Sequence, residues 1–185
     1  MDSYHSLLNV EEVKDAEDLS LPRSLVLHDA AKRHDDFTVI QILKHRDGEE
    51  PCLEIIVVDV ECDGVPPKNP DGIKYRERLA FCVSRDPKLL VEVLALRKGF
   101  PILMHQNNNG PDSPASLCLY FEPPAAVLRT WTPENFLRRV QWWLEKSARG
   151  QLHPADQPVE QLFFVTKYEL VLPWNFGDLQ KKQEQ

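Results

Sequence analysis

No apolar run in the 185-residue chain reaches the roughly 18 residues that a membrane-spanning helix needs. The first residues carry acids where a secretory signal needs a basic start and an apolar stretch, so a cytosolic protein with no membrane partner is expected. Positive charge is in deficit, with 22 Lys and Arg against 29 Asp and Glu and a net charge of -7. Binding to nucleic acid through its phosphates needs a basic face, so a nucleic-acid partner is not expected. The four cysteines, Cys52, Cys62, Cys82 and Cys118, form no Cys-x-x-Cys pair and no close Cys/His pairing, which argues against a zinc site. Neither a metal nor a cofactor is called for. Disulfides are not expected in a reducing compartment. Each cysteine is therefore either a small buried apolar residue or a reactive thiol. Internal repeats and low-complexity segments are absent as well.

What is present is an ordinary globular composition, 42% hydrophobic and 28% charged, in a length that suits one domain with a sizeable core. Prolines number 15, about 8% against a usual ~5%, so many loops must hold a shape. Residues 1–36 hold nine acids against four bases, so most of the negative charge gathers there. Residues 1–20 read as a partly ordered acidic lead-in, residues 21–176 as the folded domain and residues 177–185 as a polar tail or linker.

Pro22 suits the first turn of a short helix running to about Arg33. Phe37 to Lys44 is rich in β-branched residues and predicts a strand, with a turn around Asp47-Gly48. Cys52 to Cys62 predicts an inner strand, since its centre is apolar on both faces. Asp63 to Gly72 must be a loop, and Tyr75 to Val83 alternates as a third strand. Lys88 to Arg97 is open between helix and strand on periodicity alone. Thr132 caps a last helix, with Pro133 at its first position and Gly150 past its end. Phe136, Leu137, Val140, Trp143 and Leu144 share one face of that helix, while Arg138 and Arg139 read as a wet face. Trp142 falls away from the buried stripe and needs a cover. Either the apolar stretch Leu162 to Phe176 or a partner protein could supply it, and the nearby stretch is favoured. The sum is an α+β chain: an N-terminal helix, an antiparallel meander, a loop bearing a cysteine, then C-terminal helices.

Chemistry concentrates between Phe100 and Leu144. Cys118 follows an Asn/Gly/Pro-rich loop and sits in a short apolar island, Leu117 to Phe121. Such a thiol can be partly exposed on a fixed backbone, as thiolate chemistry requires, or it can be a buried structural residue. Cys52, Cys62 and Cys82 lie in predicted strands and read as structural.

The segment resembles the active-site region of ubiquitin-conjugating enzymes. That family has a His-Pro-Asn tripeptide ending a strand, then a loop, then Cys-Leu, then Trp-Ser-Pro opening a helix. Here stand His105-Gln106-Asn107, Cys118-Leu119-Tyr120 and Trp131-Thr132-Pro133, in the same order. Asp86-Pro87 and Phe100-Pro101 match the family's proline-bearing approach, and His153-Pro154-Ala155-Asp156-Gln157-Pro158 resembles the loop that borders its active site. The wording Leu-Cys-Leu-Tyr is similar to the bacterial branch, found in ubiquitin-like conjugation cassettes, some of them antiviral. Gln106 replaces the family's proline and the gap to Cys118 is longer than usual, so Asn107, Asn108 and Asn109 all stand as candidates for the functional asparagine.

The resemblance implies a four-stranded meander, with Lys88 to Arg97 as the fourth strand. It implies that Cys118 carries a ubiquitin-like modifier as a thioester and passes it to a lysine of a target protein. It assigns Asn107 to the tetrahedral oxyanion or to holding the loop, and Asp156 to the attacking lysine. His105 and Trp131 support the active-site loop. The implied partners are the modifier, an adenylating activating enzyme, separate or fused, and the target. A non-catalytic binding module of the same fold and a cysteine hydrolase using Cys118 and His105 are the alternatives.

Overall fold

A computed structural model describes residues 2–47, 50–103, 105–107, 110 and 113–152. They form an α+β architecture: one antiparallel sheet with helices packed on one of its faces. The strands are β1 (Val10–Val13), β2 (Phe37–Asp47), β3 (Glu50–Glu61), β4 (Arg76–Ser84), β5 (Glu92–Ala95), β6 (Gln106–Asn107) and β7 (Ala115–Leu117). The helices are α1 (Pro22–Arg33), α2 (Pro124–Thr130) and α3 (Pro133–Ala148). The strand order is β1-β2-β3-β4-β5-β7-β6. The predicted four-stranded meander is its centre, β2 to β5; the sheet has seven strands because edge strands join on both sides.

β3 is an inner strand, as its two-sided apolar centre requires. Ile56, Val58 and Val60 enter a core shared with Leu27 of α1 and with Phe136, Val140 and Trp143 of α3. Ile55 and Val57 point to the other face, where they meet Leu43, Ala80, Cys82 and Leu96. That second face accounts for the acidic lead-in. Tyr4, Leu7 and Val10 lie against it, Tyr4 bridges Arg97, and β1 pairs with Ile42 to His45 of β2. The lead-in is bound because it covers apolar sheet surface that the helices leave bare.

The fourth strand is shorter than the sequence suggests. Only Glu92–Ala95 pair with β4; Lys88 and Leu89 instead close a turn on Asp86. Arg23 of α1 then donates to the Leu89 carbonyl at 2.7 Å and to the Asp86 carbonyl at 3.1 Å, which ties this turn to the helix. α1 itself starts from a polar anchor. Glu54 of β3 accepts from the Ser20 amide and hydroxyl, both at 2.8 Å, and from the Leu21 amide at 3.1 Å. Burial alone would raise the Glu54 pKa, but these bonds outweigh it and hold the carboxyl below its ordinary value. A depressed carboxyl supports the fold above its unfolded pKa and loses that support as pH falls through the folded one. Glu54→Gln should therefore flatten the acid limb of stability against pH, measured by urea unfolding across pH 3 to 7.

α3 follows its sequence signals closely. The Thr132 side chain accepts from the Asn135 amide at 3.1 Å, Pro133 opens the first turn, and Gly150 takes a φ of 63° past the end. Phe136, Leu137, Val140, Trp143 and Leu144 are all buried, as the stripe predicts. Thr132→Ala should lower stability by about 1 kcal/mol, read as a shift of the urea midpoint.

Candidate functional site

β6 and β7 form a small hairpin on the β5 side of the sheet. Gln106 pairs with Leu117 and Asn107 with Ser116. One step further, the Cys118 amide donates to the His105 carbonyl at 2.9 Å, so the backbone of Cys118 is fixed from its N-terminal side. Leu117 and Leu119 are both buried in the helix-side core. Alternation along an extended segment then turns Cys118 toward the opposite side. The short apolar island is thus an anchor that presents one half-buried thiol.

That thiol opens into a surface hollow of about 320 Å³. Glu92, Asn107, Ser116, Cys118 and Tyr120 are among the residues lining it. Cys118 and Asn107, two of the residues singled out in the sequence, therefore meet. Asn107 is exposed at the rim. His105 has a different place: it takes a φ of 61°, which histidine tolerates better than most residues, and its ring packs edge-on against Phe121 at 5.1 Å. Trp131 does not line the hollow. It sits at the corner between α2 and α3 with its ring 6.2 Å from that of Phe136. Asp156, Asn108, Asn109 and the stretch Leu162 to Phe176 lie outside the described residues.

Gln106 explains how the hairpin manages without the proline. Its side chain accepts from the Leu103 amide at 3.0 Å and donates to the Pro101 carbonyl at 3.1 Å. Two hydrogen bonds pin the approaching loop where a ring would have stiffened it. Two other cysteines are set apart from this chemistry. Cys62 and Cys82 are each 3% exposed, and burial pushes both thiols up in pKa. The Cys62 thiol also lies 3.5 Å from the Gln141 carbonyl, as a donor.

The comparison with known families decides the membership. The family model described as Prokaryotic E2 family A matches residues 23–182. The chain belongs to that family. No curated protein and no solved structure matches it. A prokaryotic E2 takes part in ubiquitin-like conjugation, with a ubiquitin-like modifier and an activating enzyme as its classes of partner. Among the described residues of this E2, no helix is long and apolar enough to cross a membrane.

The sequence reading singled out neither Glu92 of the hollow nor Arg139 behind it. Arg139 is no wet surface group, unlike the exposed Arg138. Its Nε donates to the Leu119 carbonyl at 2.6 Å, directly after Cys118. Its guanidinium lies 4.0 Å from the centre of the Trp142 ring and 5.4 Å from that of Tyr120. Trp142 thus has a cover within its own helix, and the segment after the cysteine is held from α3. The available signal was the Arg139–Trp142 spacing of three, which stacks two side chains on one helix face. Arg139→Ala would leave the Leu119 carbonyl without its charged donor, and should cost this E2 about 2 kcal/mol in chemical denaturation. Arg139→Lys should recover only part of it, since a lysine lacks the planar fork.

Proposed function

We propose that this E2 accepts the C-terminus of a ubiquitin-like modifier on Cys118 as a thioester and passes it to a lysine of a target protein. The observation that carries the reading is the hollow in which a half-buried Cys118 and an exposed Asn107 meet. In the loading step the Cys118 thiolate attacks the carbonyl of the activating enzyme's thioester. A new C–S bond forms, and the activating enzyme's cysteine leaves as thiolate. In the discharge step a lysine amine attacks the same carbonyl. Negative charge then gathers on its oxygen, where the Asn107 amide donates a hydrogen bond; collapse of this intermediate breaks the C–S bond, and Cys118 leaves as the modifier stays on the lysine as an amide.

His105 serves through its backbone, which holds the Cys118 amide, and Trp131 through the corner from which α3 starts. Asp156 keeps the role that the resemblance implies, beside the attacking lysine. A bacterial cassette, with the activating enzyme encoded beside this chain or fused to it and in some cases serving antiviral defence, is the setting that fits such an enzyme. The direct test is to incubate the chain with a neighbouring activating enzyme, its modifier and ATP. The expected product is a thiol-labile adduct that peptide mapping assigns to Cys118. An adduct that resists thiol, or that maps elsewhere, overturns the proposal.

A further inference from the structure

The sheet register places an acid beside the thiol. β5 and β7 pair with Leu94 opposite Ser116 and Ala95 opposite Ala115. Continuing that ladder by two residues sets Glu92 opposite Cys118, with both side chains on the face that Leu94 and Ser116 share. Independently, Glu92 and Cys118 line the same hollow, and among the described residues lining it Glu92 is the one that carries charge. On its other side Glu92 pairs with Cys82 of β4, whose buried thiol is pushed up first by burial and further by the Glu92 charge. Glu92 is exposed and has no ion-pair partner among the described residues. An exposed acid without an ion pair among the described residues thus shares the hollow with the thiol.

We propose that Glu92 selects the acceptor of this site: it draws a cationic amine to the Cys118 thioester and disfavours an anionic thiolate. The inference rests on the thioester reading of Cys118 and adds to it the residue that sets the preference for an amine taken directly over a second cysteine. Lysine arrives as an ammonium and must lose two protons to become an amide nitrogen. The first passes to the Glu92 carboxylate and on to solvent, which frees the lone pair. The nitrogen then attacks the thioester carbonyl, the C–N bond forms and the C–S bond breaks. The second proton goes to the departing Cys118 thiolate, which leaves as thiol. A carboxylate on the sheet side of the thiol supplies this from β5.

The first test needs neither modifier nor activating enzyme. The whole chain is reacted with cationic, neutral and anionic methanethiosulfonates, the adduct on Cys118 is quantified by peptide mapping, and rates are normalised to a small thiol. All three reagents meet the same thiolate, so their ratio cancels any change in its pKa and reads only the local charge. The parent should prefer the cation over the anion more than Glu92→Gln does, by on the order of tenfold at low salt. The difference should shrink in high salt, and Glu92→Lys should invert the preference. The second test starts from the preformed thioester and compares discharge to lysine with discharge to hydroxylamine, a neutral nucleophile at pH 7. Glu92→Gln should lower the lysine-to-hydroxylamine ratio about fivefold. Equal ratios in parent and Glu92→Gln, in either test, overturn the inference. Failure to form any thioester on Cys118 overturns the reading beneath it instead, and the first test tells the two apart.

Discussion

Cys118→Ala should abolish the thiol-labile adduct outright, while Cys52→Ser, Cys62→Ser and Cys82→Ser should all still form it. The reason is the different state of the thiols. A thioester forms from a thiolate that can reach another protein's carbonyl. Cys62 and Cys82 fail on both counts, being buried and pushed up in pKa. Cys62 further spends its proton on the Gln141 carbonyl. Cys118 is half-buried at an open hollow, and its backbone is held by the His105 carbonyl on one side and through Leu119 by Arg139 on the other. Cys118→Lys extends the test: an amine at this position should trap the modifier as an amide that thiol does not cleave. Gel mobility with and without reducing agent reads every variant. An adduct that survives Cys118→Ala would remove the basis of the thioester reading.

The parts of this protein that were legible in its sequence are those whose signals are local and long. α3 has a capping threonine, a proline in the first turn and a buried stripe from Phe136 to Leu144, and each is where the spacing puts it. β2, β3 and β4 have strong β-branched or alternating runs. What escaped is short. β1 spans four residues, two of them glutamates, and stays in the sheet because Tyr4, Leu7 and Val10 cover an apolar face that no local pattern announces. α2 spans seven residues with Val127 alone buried. The turn on Asp86 trims β5 through contacts with α1, a segment more than sixty residues away in sequence.

The site divides in the same way. The order His105, Asn107, Cys118, Trp131 was readable as a motif. The meeting of Cys118 with Asn107 depends on the β6–β7 register, and that with Glu92 on the β5–β7 register. Both registers are tertiary facts. Arg139 shows the converse error: charge on a helix suggested solvent, but a guanidinium can lie flat on Trp142 and still bond a backbone carbonyl.

Asn107→Ala should load normally in rate of adduct appearance yet discharge to lysine about 10²-fold more slowly, the usual loss for one oxyanion donor. The two steps differ in where charge develops and what must stabilise it. Loading exchanges one thioester for another on an activating enzyme that brings its own surroundings. Discharge takes place in the hollow itself, where Asn107 is exposed at the rim and paired through its backbone to Ser116, two residues before the nucleophile. The backbone pairing matters because it survives the substitution: alanine keeps the same ladder bonds, so the hairpin and the position of Cys118 should persist while the amide is removed. Asn107→Asp makes a sharper version, since it retains size but places an acceptor where a donor is needed, and it should be at least as slow as alanine. Single-turnover discharge from the purified thioester measures both variants. If Asn107→Ala discharges at the parent's rate, the oxyanion is held by other donors, and Asn107 serves the hairpin alone.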